Sequence, residues 1–256
     1  MQSLKDKVVV ITGAASGIGR ALALECGAHD VACHSQRRDA GVEADIFALA
    51  QTCQSLFGAA DVVVNNAGVT LVSSVGKLQT ADAHWLMNIN FWGVVHGCRA
   101  FIPQLRTRPE AMLVNISSIF AMVSAPSQSM YNAAKAAVRG FSDSLREELR
   151  ESPIKVLCVH PGGIRTNIAN RARLADTSLM LVTPQQMRAG FEAQARTTPE
   201  QAALAIVRAI ESGQTRLMIG ADAKILDWIY RLVPVRSSAW LTWIAKRRQL
   251  ALAGKP

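Results

Sequence analysis

No stretch of the 256 residues stays apolar long enough to cross a bilayer. The polar opening Met1 to Lys7 and the short apolar run Val8 to Ile11 do not make a secretion signal, so a cytoplasmic protein is expected. Among the five cysteines, Cys26, Cys33, Cys53, Cys98 and Cys158, there is no C-x-x-C pair. An odd number of thiols among aliphatic neighbours excludes a complete disulfide framework and points to buried cysteines in a reducing compartment. His29 and His34 flank Cys33, but a fourth zinc ligand is missing, and no metal is expected. Acidic residues fall short, with 19 Asp and Glu against 28 Lys and Arg and a net charge of +9. That deficit is local: Lys224, Arg231, Arg236, Lys246, Arg247, Arg248 and Lys255 against Asp227 leave +6 in the last 33 residues. The body is nearly balanced, which argues against nucleic acid as a partner.

Half of the residues are hydrophobic, enough for one large α/β domain. Val8 to Thr12 reads as a strand, Gly13-Ala14-Ala15-Ser16-Gly17-Ile18-Gly19 as a turn, and Ala21, Leu22 and Leu24 as the start of a helix. Strand, glycine turn and helix in that order can seat a pyrophosphate on the positive end of the helix. The spacing is G-x-x-x-G-x-G, and an ordinary strand-to-helix turn would read the same way. Val31 to Ser35 is the second strand, ending in Gln36-Arg37-Arg38-Asp39. An arginine there accepts a 2′-phosphate and an acid bonds a 2′-hydroxyl. Arg37 and Arg38 come first, which favours NADP(H) over NAD(H) held by Asp39.

Ile46 to Phe57 is helical and Asp61 to Asn65 the next strand, so Arg38 to Ala60 has room for too few elements. One helix of a doubly wound unit is missing, and Val42 to Asp45 forms at most a stub of strand. The strand from Asp61 ends in Asn65-Asn66-Ala67-Gly68, small residues that suit a flat ligand ring at the sheet's carboxyl edge. Asp82 to Phe101 reads as a long helix containing Asn88 and Asn90, an unfavourable place for asparagine unless one has polar work to do. Met112 to Ile116 and Lys155 to His160 are strands, the second followed by the turn Pro161-Gly162-Gly163-Ile164-Arg165-Thr166, a natural pocket rim. Arg171 to Ala195 reads as an apolar lid or a packed helical hairpin, Pro199 to Ser212 as a helix, and Arg216 to Ile219 as a last strand.

Ser118 ends one of these strands, and Tyr131 and Lys135 lie four residues apart on the following helix, so phenol and ammonium share a face. A tyrosine acting as a base near neutral pH needs its pKa lowered by about 3 units, or about 4 kcal/mol. An ammonium about 4 to 5 Å away, at an effective dielectric near 20, supplies about 3 to 4 kcal/mol.

With the glycine turn, the Asn-Asn-Ala-Gly strand end and the Ser118, Tyr131, Lys135 set in order, the chain from about Lys5 to Gly220 resembles the short-chain dehydrogenase/reductase family. The resemblance implies a doubly wound parallel α/β sheet in one domain, 1–220; within it the stretch about 167–198 is expected as a substrate lid, and beyond Gly220, where the resemblance fades, 221–256 reads as a basic amphipathic tail. It implies hydride transfer between a nicotinamide and a carbonyl or secondary alcohol. Tyr131 would exchange the hydroxyl proton and Ser118 would bond the substrate oxygen. Lys135 would lower the tyrosine pKa and bind ribose, and Asn90 would hold a relay water. Gly13, Ser16, Gly17, Ile18, Gly19, Asp45, Asn66, Ala67, Gly68, Pro161, Gly162, Ile164 and Thr166 fall at cofactor-binding positions, with Asp45 as the adenine-side aspartate. Ala121 stands where the family often has glycine. Family members usually pair through the long helices, so a homodimer or homotetramer with an apolar substrate is implied.

In the tail, Ile225, Trp228, Ile229 and Leu232 recur at helical spacing before Pro234, and Trp240, Leu241, Trp243 and Ile244 lead into Lys246-Arg247-Arg248. Such a helix can lie on an anionic membrane, pack on a subunit or roof the pocket.

Overall fold

The computed structural model describes residues 3–27, 32–34, 39–178, 183–239 and 242–243. Its elements are β1 (Val8–Ile11), α1 (Gly17–Gly27), β2 (Ala32–His34), α2 (Glu43–Phe57), β3 (Val62–Asn65), β4 (Leu71–Val72), α3 (Thr80–Met87) and α4 (Gly93–Leu105). Then follow β5 (Ala111–Ile116), α5 (Ser129–Glu148), β6 (Ile154–Pro161), β7 (Arg173–Leu174), α6 (Pro184–Gln194), α7 (Pro199–Glu211), β8 (Arg216–Ile219) and α8 (Ala221–Leu232). Six strands pair in parallel in the order β2-β1-β3-β5-β6-β8. The order reverses between β1 and β3, and their carboxyl ends border the crevice where open α/β sheets take ligands.

Alternation along each strand assigns the two cores. Val9 and Ile11, Val62 and Val64, and Met112 and Val114 face α1 and α7, where Leu22, Ile206 and Ile210 complete one buried layer. Val10, Val63 and Leu113 face the other way, onto Leu49, Phe101 and Val138 of α2, α4 and α5. Near-continuous valine and isoleucine runs are what strands covered on both faces require.

The crowded interval after β2 holds α2 and, among the described residues, no further strand or helix. Val42 to Asp45 is not a strand stub: Glu43 opens α2, and both Glu43 and Asp45 lie in its first turn, where carboxylates meet the positive end of a helix. The long helix expected over Asp82 to Phe101 is α3 and α4 joined by a π-helical turn at Asn88–Trp92. The extra residue in that turn brings Asn90 into the interior, fully buried. Short β4 and β7 pair with each other, Leu71 with Arg173 and Val72 with Leu174, a ladder too short for periodicity to reveal.

Candidate active site

The glycine turn is braced from the β3 end. Asn66 donates from Nδ2 to the carbonyls of Thr12 (2.9 Å) and Gly13 (3.3 Å), while Thr12 Oγ1 accepts from the amides of Asn66 and Ala67. Gly13 has a φ of +70°, and a Cβ on it would lie 2.9 Å from the Cα of Ala67. Gly17, at +57°, would press a Cβ to 3.2 Å from Thr166 Cγ2, so the glycine turn and the loop after β6 approach side by side. Gly19 packs against the Asn66 amide and the Gly13 carbonyl, and Ile18 packs against the first core layer. The first turn of α1 carries no acid, leaving its positive end available to an anion. Ser16, just before it, accepts a 3.4 Å bond from Arg171 in the segment expected as a lid. A cradle this close-fitting, with side chains excluded at Gly13 and Gly17, fits a dinucleotide pyrophosphate.

Across the crevice, Pro161 ends β6 and Gly162 donates to Ile219. Asp222, in the first turn of α8, accepts from the Gly163 amide at 2.6 Å, and a Cβ on Gly162 would collide with its carboxylate. Ile164 bridges to Thr197, and Thr166 turns back on Ile164. Sequence reasoning missed Asp222, whose only signal is an acid two residues past Gly220.

The Asp45 carboxylate accepts from the Asp39 amide at 2.9 Å, and Asp39 in turn accepts from the Gly41 amide, so both acids brace the turn into α2. Arg37 and Arg38 lie outside the described residues.

At the centre, Tyr131 is half-buried, with Phe120 set edge-on at 6.2 Å. The Ser118 side chain stands beside the phenol and lowers its pKa, and its hydroxyl accepts a hydrogen bond from the Phe120 amide at 3.1 Å. Lys135 is buried; its Nζ donates to the Ile116 carbonyl at 2.9 Å and lies 5.9 Å from the Tyr131 ring centroid. Ser117 fixes the lysine from behind by donating to its backbone carbonyl. Gly68 lies against both Lys135 and Asn90: a Cβ there would sit 3.6 Å from Nζ and 3.5 Å from Asn90 Oδ1. Asn90 grips the Val69 backbone from both ends of its amide, each bond 2.8 Å, and so holds this stretch in place.

Burial pushes the phenol of Tyr131 up, and Ser118 pulls it back. Lys135 Nζ is bonded to the Ile116 carbonyl, and burial lowers the lysine to about 8, so its ammonium can trade a proton near neutral pH.

His160, another residue the sequence did not flag, sits almost wholly buried at the end of β6 with Nδ1 at 3.3 Å from the Ser118 carbonyl. Its Nε2 has no partner, and burial holds its pKa down to about 4. The arginines Arg216 and Arg139 push the same way and Asp143 opposes them. A histidine lowered on folding binds fewer protons than in the unfolded chain between about pH 6.5 and 4, so stability falls as pH falls through that window. The loss is about 3 kcal/mol once pH is below both values. Urea denaturation from pH 7 to 4 should show it, and His160→Asn should flatten the profile.

The fold and this site have counterparts. A family model described as short chain dehydrogenase matches residues 25–177. Along 91% of this chain and 93% of its own length, a Mycobacterium tuberculosis protein named "Putative oxidoreductase SadH" is 38% identical. The chain belongs to the short-chain dehydrogenase family. It is an oxidoreductase of the NAD(P)-dependent short-chain dehydrogenase type. A second relative, 11-beta-hydroxysteroid dehydrogenase A of Sesamum indicum, is 31% identical over 100% of this short-chain dehydrogenase and 79% of its own length. A solved short-chain dehydrogenase from Streptomyces avermitilis superposes with a TM-score of 0.79 at 28% identity, covering 94% of this chain and 97% of that one. A Burkholderia phymatum short-chain dehydrogenase/reductase, solved in complex with NAD, gives 0.77 at 24% identity over 91% and 96%. Among the described residues no helix is long and apolar enough to cross a membrane.

Proposed function

We propose that this short-chain dehydrogenase reduces an apolar carbonyl compound, or oxidises the matching secondary alcohol, with NADP(H). The observation that carries the reading is the juxtaposition of Ser118 and Tyr131, close enough for the serine to lower the phenol's pKa, with buried Lys135 Nζ 5.9 Å from the tyrosine ring centroid and the glycine cradle beside them. The dinucleotide, when bound, supplies or accepts the hydride at its nicotinamide ring. Gly13, Ser16 to Gly19 and the α1 terminus would hold its phosphates, and Ala67, Gly68 and Pro161 to Thr166 would flank its nicotinamide half. Ser118 positions the substrate oxygen, and Tyr131 gives it a proton in reduction or takes one in oxidation. A phenol kept protonated by burial is suited to the reductive direction. Lys135 restores the tyrosine's proton, and Asn90 keeps Gly68 and Val69 against the lysine.

An apolar substrate is supported by the surroundings of the phenol, where Phe120, Val69, Leu78, Trp85 and Met130 gather. The steroid in the name of the sesame relative agrees with it. Arg37 and Arg38 in the sequence support the 2′-phosphate, whereas the Burkholderia structure holds NAD. Pairing of two copies through α4 and α5 accompanies this reading. Fluorescence titration with NADPH and NADH, followed by turnover on ketones of increasing apolar size, tests it. NADPH should bind at least about tenfold more tightly, the discrimination expected of a paired phosphate; equal binding removes the arginines from the reading, and no turnover on any ketone removes the reductase.

A further inference from the structure

Helix α8 has two apolar sides. Ala223, Leu226 and Tyr230 of α8 pack inward on Ile119, Ala121 and Met122 next to the catalytic serine. The opposite side is also apolar and faces out: Ile225 is 59% exposed, Trp228 65% and Leu232 76%, at the i, i+3, i+7 spacing that aligns them in one stripe. Val233 and Val235 follow just beyond the helix, the latter 90% exposed. Isolated surface apolar residues are ordinary, but three in one stripe on a single helix with two more directly after it call for a partner.

Charge identifies the partner. Along one border of the stripe runs an open cleft of about 390 Å³ lined by Arg216, Met218, Lys224, Asp227, Trp228 and Arg231. Asp227 is committed to Arg216 and Arg231 at 2.6 Å and 3.2 Å, so three cations face one carboxylate and Lys224 stays exposed. A second copy of this chain would bring the same surplus of cations to the contact and be repelled. Phosphate groups would be drawn to it, with the stripe beside them reaching into acyl chains and Trp228 at the boundary, where its ring is most at home. The sequence continues in the same sign through Arg236, Lys246, Arg247 and Arg248.

We propose that α8 and the residues just after it dock this enzyme on the surface of a membrane containing anionic phospholipids. The protein would lie on the bilayer, held reversibly by the stripe and the cleft together.

The test is co-sedimentation of the full chain with vesicles of phosphatidylcholine alone and of phosphatidylcholine mixed with phosphatidylglycerol. Binding is expected to the mixed vesicles only, and to weaken with salt. The double substitution Trp228→Ser, Leu232→Ser should reduce it by about tenfold or more, given the apolar area lost. Lys224→Glu should weaken it without touching the stripe. Turnover of a soluble ketone should stay within about twofold in these variants, because surface changes rarely disturb a fold, so loss of docking is distinguishable from loss of the catalytic reading. Should the double variant misfold by circular dichroism, Ile225→Ser serves in its place. Three results would overturn the proposal: no binding to the mixed vesicles, undiminished binding after the stripe is changed, or a doubling of mass without lipid that the stripe variants abolish. The last would make the stripe a contact between copies.

Discussion

Tyr131→Phe should lower kcat by about a thousandfold, the contribution of a positioned proton donor, while dinucleotide affinity stays within a few-fold. The substitution keeps the ring against Phe120, so packing is nearly unchanged. It removes only the phenolic oxygen, whose pKa Ser118 lowers. Steady-state turnover of a ketone and cofactor fluorescence titration, run in parallel, read the two quantities. Retained turnover would strip Tyr131 of its role. The same pair of measurements separates an enzyme from a protein that merely binds dinucleotide, since such a binder would have no turnover to lose.

Gly97→Ala should destabilise the fold by about 4 kcal/mol, from overpacking together with a disrupted buried hydrogen bond. A Cβ at position 97 would lie 1.9 Å from Asn65 Oδ1. Asn65 cannot step aside, because its Nδ2 donates to Asn115 at 2.9 Å, and Asn115 donates onward to Ser142 of α5 at 3.0 Å. All three polar residues are buried, so a displaced amide would find no water. Thermal unfolding should record a drop of roughly 10 °C for a chain of this size. An unchanged transition would mean that α4 can withdraw from the sheet at no cost.

Much of this was legible in residues whose spacing reports one local event. Valine runs announced the strands, the glycine turn announced the entry to α1, and Ser118, Tyr131 and Lys135 came together because one strand end and one helix face dictate it. The crowding after β2 was also legible as a missing element. What filled the remainder was not. Val42 to Asp45 looked extended, yet two acids in a first turn favour a helix start, and from there Asp45 braces the turn at Asp39. The π-helical turn at Asn88–Trp92 left only the faint mark of asparagine within a helix, because one added residue shifts hydrogen bonds without altering composition. Asp222 and His160 act across 59 and 42 positions of sequence, on Gly163 and Ser118, and pairings at that distance leave no periodic trace. Spacing placed the ammonium on the face of the phenol, but gave no sign that the Ile116 carbonyl would hold it.

The pairing of β4 with β7 anchors the chain ahead of α6. Arg173 is stacked 3.8 Å over the Trp85 ring and ion-paired with Asp82, while Asp176 is bonded to Ser74 and Ser178, whose hydroxyls hold its carboxyl well below the usual range. Behind α6, Arg165 clasps the Ala195 carbonyl. The helix is thus tethered to the body of the enzyme on both sides in sequence, so Arg173→Ala is expected to loosen the first tether while leaving the second intact.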